Sequence, residues 1–299
     1  MLVFRNEGDW GTSRARVSLS AYPPSKEPEF MGFLRRSTAA VAVLTSLAIM
    51  PLAYAQDDAL VSKSDQSGTN PVNFTYDARL YNEYQWLNMP GDAGRNVTTF
   101  EYRQPFADGD WQFRTRLRAV DLDIDAAGID QFGFGDMDMR FLTVPYLNPE
   151  KLEAAAIGLE VFIPTGSNDV LSSNALSFGP QVFWAWFNVF GYLDMVAPGY
   201  QHQFSVWKES GAPNIHQSNL DLFILKTFNN KQQWILVNPQ GVIDYVNDVE
   251  AFNIDVEFGS MLEDITGIPG DSFWVRPAVG IGGERFFDAS IEAGYKVVW

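Results

Sequence analysis

The sequence predicts an all-β chain, a transmembrane antiparallel up-and-down β-barrel of about 12 strands. Three observations carry that expectation. Hydrophobicity alternates with a period of two along one segment after another, with no long helical stripe in competition. A secretory signal precedes those segments. The last segment alternates Ala289, Ile291, Ala293, Tyr295, Val297 and Trp299 with Ser290, Glu292, Gly294 and Lys296, so one face suits hydrocarbon and the other water.

Residues 1–30 are polar, carry Pro23-Pro24 and stop before Met31, which reads as an over-called start or a leader. Arg35 and Arg36 then precede an uncharged run from Ala39 to Leu52 that ends in Ala53-Tyr54-Ala55. That order defines a signal peptide over 31–55, with cleavage before Gln56; an uncleaved membrane helix is the competing reading. Residues 56–72, rich in Ser, Asp, Gly and Asn, read as a mobile periplasmic lead-in, and 73–299 as the barrel. The chain has no cysteine, which excludes a disulfide framework, thiol catalysis and thiolate metal sites. It has 21 basic and 37 acidic residues. Residues 1–55 carry six of the former and four of the latter, so the remainder has a net charge of about −18. That argues against nucleic acid as a partner. It does not oppose a membrane location if the charges lie in the lumen and loops.

The strands follow from alternation and from the breaker clusters between them. Trp111, Phe113, Thr115, Leu117 and Ala119 alternate with Gln112, Arg114, Arg116 and Arg118. Asp136, Asp138 and Arg140 alternate with Gly135, Met137, Met139 and Phe141. Phe252, Ile254, Val256 and Phe258 alternate with Asn253, Asp255 and Glu257, and Phe273, Val275, Val279 and Ile281 oppose Arg276. Breakers such as Asn88 to Asp92, Ala107 to Asp110, Pro164 to Asp169 and Ile268 to Asp271 separate them. The predicted strands are 73–86, 96–105, 111–120, 133–146, 153–164, 176–187, 190–203, 217–228, 232–246, 250–259, 273–283 and 286–299. Pro180 and Pro277 fall inside two of these, where a missing N–H calls for an edge or a bulge.

Alternation alone does not separate a barrel from a secreted sandwich, because any strand with one wet face alternates. The export signal, the terminal Tyr295, Val297 and Trp299, and aromatics near strand ends favour the membrane. Those aromatics are Tyr84, Trp86, Trp111, Tyr146, Trp184, Trp186, Trp234 and Trp274. Tyr295, Val297 and Trp299 are further expected to form the insertion signal read by the barrel-assembly machinery.

Phe132-Gly133-Phe134-Gly135-Asp136-Met137, the strand Gly158 to Gly166, and Phe178-Gly179-Pro180 resemble the outer-membrane transporter family named for the meta-cleavage pathway of phenol degradation. The resemblance covers about 132–187. Its Gly-Asp and Pro-Thr-Gly motifs are turn chemistry. It implies an outer-membrane pore for small compounds, hydrophobic or aromatic ones included.

The chemistry to be accounted for lies on the inferred lumen face. Arg114, Arg116 and Arg118 recur about every 7 Å along one strand, so they need opposite charge nearby. Asp136 and Asp138 on the next strand are the expected source, by cross-strand pairing. Such a ladder is either structural filling or a charged constriction that selects solutes. Arg140, Asp255, Glu257, Arg276, Glu292 and Lys296 complete the expected pore lining.

Asp121, Asp123 and Asp125 invert the polarity of the strand before them, as after a bulge, and read as a solvated acidic extension ahead of a divalent-cation site. His216-Gln217-Ser218-Asn219 resembles the His-x-Ser-Asn of outer-membrane phospholipase A, with His216 as base and Ser218 as nucleophile facing lipid. Leu220 replaces that family's glycine, and no orienting asparagine is placed. A non-catalytic strand end is the expectation. No cofactor, metal or enzyme activity is expected; the partners are outer-membrane lipid, the assembly machinery and a small solute.

Overall fold

The structure, a computed structural model, describes residues 70–298. The readings for 1–69, among them the leader, the signal peptide and most of the lead-in, lie outside the described residues, as does Trp299. The described chain is almost entirely strand. In order the strands are β1 (Asp77–Leu87), β2 (Ala93–Phe106), β3 (Trp111–Ile124), β4 (Ile129–Phe134), β5 (Met137–Asn148), β6 (Glu153–Ile163) and β7 (Ala175–Val189). They continue as β8 (Leu193–Lys208), β9 (His216–Phe228), β10 (Gln233–Asp244), β11 (Val249–Met261), β12 (Ser272–Ile281) and β13 (Phe287–Val298). β4 and β5 both pair with β3, through Ile124↔Ile129 and Arg116↔Asp138 respectively, so they are two halves of one stave. Every neighbour is antiparallel and β13 returns to β1 through Asp77↔Val298, which closes a barrel of 12 staves. Closure leaves no strand edge to satisfy in lipid.

The stave breaks at Gly135-Asp136 because β6 stops at Ile163 and gives β4 no strand neighbour on that side. The loop 164–174 takes its place. Ser167 N donates to the Phe134 carbonyl at 2.9 Å, and Phe134 N donates to Ser167 Oγ at 3.0 Å. The Asp136 carboxylate holds this loop, accepting from Gly166 N at 3.0 Å, Ser172 Oγ at 2.8 Å and Ser173 N at 2.7 Å.

Prolines inside the strands sit where one ladder lapses. Pro277 keeps register with Ile291 of β13, while the β11 pairing skips from Ala278 to Val275. Pro180 stays opposite Leu159, while pairing with β8 skips from Phe178 to Gln181. The missing N–H therefore costs no sheet bond that would otherwise form.

Leu80, Phe100, Leu117, Ile157, Phe258, Phe273 and Ile291 are exposed on the outer face, the apolar band a bilayer requires. Tyr84 and Trp86 lie toward one rim, while Trp111, Trp184 and Trp186 lie toward the rim that carries the chain ends. Trp234 and Trp274 were expected in this girdle, but they point inward and are 2% and 5% exposed. The cause is a pair of glycines on the neighbouring strands: Gly259 lies opposite Trp234 and Gly294 opposite Trp274, and each leaves room for an indole that any Cβ would strike. Trp274 shares the parity of Arg276, which is the sequence signal for an inward position.

The polarity inversion after Arg118 has a different cause from a bulge. Register between β2 and β3 is unbroken from Phe106↔Trp111 to Ala93↔Ile124. Val120, Leu122 and Ile124 therefore continue the inward face of Arg118 and are buried with Val97, while Asp121 and Asp123 stay outward and exposed. What changes is the lining: at this end the inward face is an apolar cluster in place of the arginine ladder. Among the described residues no three acidic or histidine side chains gather as a metal site.

The face assignment has a direct check. Ile254 faces outward and Asp255 lies buried inside. Ile254→Arg should cost about 2–4 kcal/mol if near the bilayer midplane and impair assembly, whereas Asp255→Asn should assemble normally. Equal amounts of heat-modifiable barrel from both variants would contradict the phase.

Candidate pore lumen

Rows of facing residues on β2, β3, β5 and β6 bring the charges together. One row runs Glu101, Arg116, Asp138; the next runs Arg103, Arg114, Arg140, Glu160. Asp138 is fully buried and serves three arginines: Arg116 Nε at 2.9 Å, Arg114 Nη2 at 3.5 Å, and Arg118 Nη2. Glu160 Oε1 accepts from Arg116 Nη2 at 2.7 Å and also from Arg114, and its Oε2 accepts from Gln201 Nε2 at 2.8 Å. Asp77 pairs with Arg79 at 2.7 Å, and Glu101 pairs with Arg103. Asp136 is not a partner of the ladder through its carboxylate, which is committed to the loop; only its carbonyl meets Arg118 Nη1, at 2.8 Å. The reason is the strand break, which turns Asp136 out of the lumen row.

The arc formed by β9–β13 carries the opposite excess. Arg276 meets Glu257 at 3.0 Å through Nε, Glu292 at 3.2 Å through Nη1, and Asp255 at 3.8 Å. The carboxylates are also held by the inward indoles: Trp234 Nε1 donates to Glu257 at 2.6 Å and Trp274 Nε1 to Glu292 at 2.7 Å. Lys296 is fully buried at the end near the chain termini.

Sequence reasoning missed Arg79, Glu101, Arg103 and Glu160. The signal was available. Arg79 is the charge between Ala78 and Leu80, Glu101 and Arg103 flank Tyr102, and Glu160 is the lone charge in Gly158 to Ile163.

Two cavities lie inside the barrel. The larger, about 290 Å3, is lined by both charged arcs. The smaller, about 200 Å3, is lined by Glu83, Gln85, Asn253 and Ser290. They adjoin at Gln240, Asp255, Arg276 and Glu292, which line both.

At the end near the chain termini the lining becomes apolar. Leu142, Phe183, Met195, Leu225, Trp234, Leu236 and Trp274 pack there around Val72, with Phe74 against them. Asn70 Oδ1 accepts from Val72 N at 3.0 Å, a turn that directs the chain inward, and Asn70 and Pro71 line the larger cavity. The described end of the expected mobile lead-in, residues 70–72, is thus packed inside the barrel mouth.

His216 and Ser218 are on the outer face near the opposite rim. The imidazole at Ser218 is His202, not His216: His202 Nδ1 is 3.2 Å from Ser218 Oγ, and Tyr200 and Tyr245 hydroxyls are each 3.0 Å from it. His216 instead packs edge-on to His202, with ring centroids 5.0 Å apart. The cause is register, since His202 stands directly opposite Ser218 and His216 opposite Phe204. Asn229 and Asn230 lie in the turn at the other end of β9.

Fold and lumen together define an outer-membrane β-barrel of porin-like architecture. Residues 73–200 match the family described as "Putative MetA-pathway of phenol degradation", a span that contains the motifs of 132–187. The chain is similar to the COG4313 outer membrane channel from Pseudomonas putida F1, with TM-score 0.61 at 14% identity, covering 77% of this chain and 97% of that one. It is similar also to the NanC porin, with TM-score 0.50 at 10% identity, covering 75% of this chain and 98% of that one. At such identities the likeness is one of fold. No curated protein sequence matches the chain.

Proposed function

We propose that the protein is an outer-membrane channel for passive uptake of small compounds, hydrophobic or aromatic ones among them, with no cofactor and no chemical step. The observation that carries this is the pair of adjoining polar cavities inside a closed barrel, walled by arginine-rich and carboxylate-rich arcs. Pore-lining roles fall to Arg114, Arg116, Arg118, Asp138, Arg140, Asp255, Glu257, Arg276 and Glu292. The COG4313 relative is named a channel and the matched family is named for phenol degradation, and both support this reading. Residues 31–55 supply the export signal in it, and Tyr295, Val297 and Trp299 supply the assembly signal.

Conductance of the purified protein in planar bilayers tests the proposal; a silent bilayer at all voltages counts against it. Arg116→Ala should then shift selectivity toward cations, because Asp138 and Glu160 lose a countercharge in the lumen. If the ladder is only filling, the same variant loses thermal stability with selectivity unchanged.

The contact between Ser218 and His202 favours a second reading, a bilayer-facing lipid hydrolase. Phospholipid hydrolysis by the wild type that is abolished in Ser218→Ala would establish it. The channel reading expects no hydrolysis from either.

A further inference from the structure

Among the buried polar atoms of the lumen, those without a partner are segregated by type. Gln112 Nε2, Arg114 Nε, Arg140 Nε and Gln181 Nε2 are buried N–H donors that meet no acceptor, and all four residues line the larger cavity. They share one wall. Arg114 and Arg140 face each other across β3 and β5, Gln112 is the next inward residue on β3, and Gln181 ends the row Gln112, Leu142, Gly158, Gln181, in which the Leu142 side chain packs over Gly158.

Arg140 is the centre of this wall. It is 8% exposed, and it makes no ion pair or hydrogen bond among the described residues. Its cross-strand neighbour is another arginine, an arrangement that destabilises unless negative charge is supplied. Glu160 stands on its other side but is spent on Arg114, Arg116 and Gln201. The same cavity also presents apolar surface from Phe183, Phe223, Leu236 and Trp274.

Buried donors without acceptors forfeit the hydrogen bonds they make in water, and a guanidinium is matched in shape to a carboxylate. We infer that this wall is a subsite for the carboxylate of a small amphipathic solute, whose apolar or aromatic body lies against Phe183, Phe223 and Trp274. The inference rests on the channel reading and narrows it to a class of solute, organic monocarboxylates. An excess of positive charge at this point in an otherwise acidic chain concentrates such anions where they pass.

The test is calorimetric titration of the full-length protein in detergent with benzoate and with benzyl alcohol, which keeps the ring and removes the charge. Benzoate should bind at least about tenfold more tightly, the scale of a hydrogen bond to a charged group. Arg140→Gln should weaken benzoate by about tenfold and leave benzyl alcohol unchanged. Gln181→Met removes a donor without removing charge and should weaken benzoate by a smaller factor; it carries the test alone if Arg140→Gln fails to fold. Equal binding of the two probes overturns the subsite, as does undiminished benzoate binding in both variants. Conductance without selective benzoate binding removes the subsite and leaves the channel; selective binding without conductance supports the subsite and removes the channel.

Discussion

Asp138→Ala should be the most damaging single replacement in the lumen, lowering the stability of the folded barrel by about 3–5 kcal/mol, the range seen when one partner of a buried charge pair is deleted. Asp138 is fully buried and is bound by Arg114, Arg116 and Arg118. Its removal leaves three guanidinium groups two residues apart on one strand, with Glu160 as the nearest remaining carboxylate. Their mutual repulsion adds to the loss. Urea unfolding of the barrel in lipid vesicles reads the effect as a lower midpoint. Asp136→Ala is the control: its carboxylate holds the 164–174 loop, so that loop should loosen with a much smaller change in the midpoint. A wild-type midpoint for Asp138→Ala would show that the ladder does not hold the barrel together.

Val72→Asp should raise conductance. Val72 is 8% exposed and belongs to the apolar cluster at the mouth near the chain ends, together with Leu142, Phe183 and Trp274. An unpaired carboxylate cannot stay there at a cost of several kcal/mol, so the Asn70–Phe74 turn would leave the mouth while the strands, closed on themselves, remain. Val72→Ile keeps the contact and should conduct as the wild type does. Unchanged single-channel conductance in Val72→Asp would mean that this segment does not narrow the path.

The barrel was legible because a lipid-facing strand leaves little freedom: period-two alternation, breaker clusters and an even count gave each of the 12 staves to within a few residues. The prolines inside strands argued against two of them only while each strand was imagined with both ladders intact. The positive face of β3 was equally legible, since Gln112, Arg114, Arg116 and Arg118 share one parity. The identity of partners was not. Whether Asp136 or Asp138 answers Arg116 depends on a stave break that local periodicity does not contain, and whether His202 or His216 reaches Ser218 depends on register between β8 and β9. Trp234 and Trp274 were misplaced because composition near strand ends was weighed above parity. Val120, Leu122 and Ile124 keep the inward parity of Arg118, so the change from basic to apolar side chains marks a change of lining that local periodicity does not distinguish from a bulge. The cluster around Val72 had no sequence signal at all, being made by residues from eight strands and the segment before β1.

The repeated pairing of an inward indole with a glycine, Trp234 over Gly259 and Trp274 over Gly294, has an optical consequence. It sorts the described tryptophans into two spectroscopic populations. Trp86, Trp111, Trp184, Trp186 and Trp207 are 37–52% exposed on the outside, within reach of acyl chains or headgroups. Trp234 and Trp274 are screened from lipid by the sheet itself, with their N–H groups held by Glu257 and Glu292. Brominated phospholipid should therefore quench the first set and spare the second, so among the described tryptophans the residual emission belongs to the interior and can be followed without any attached dye.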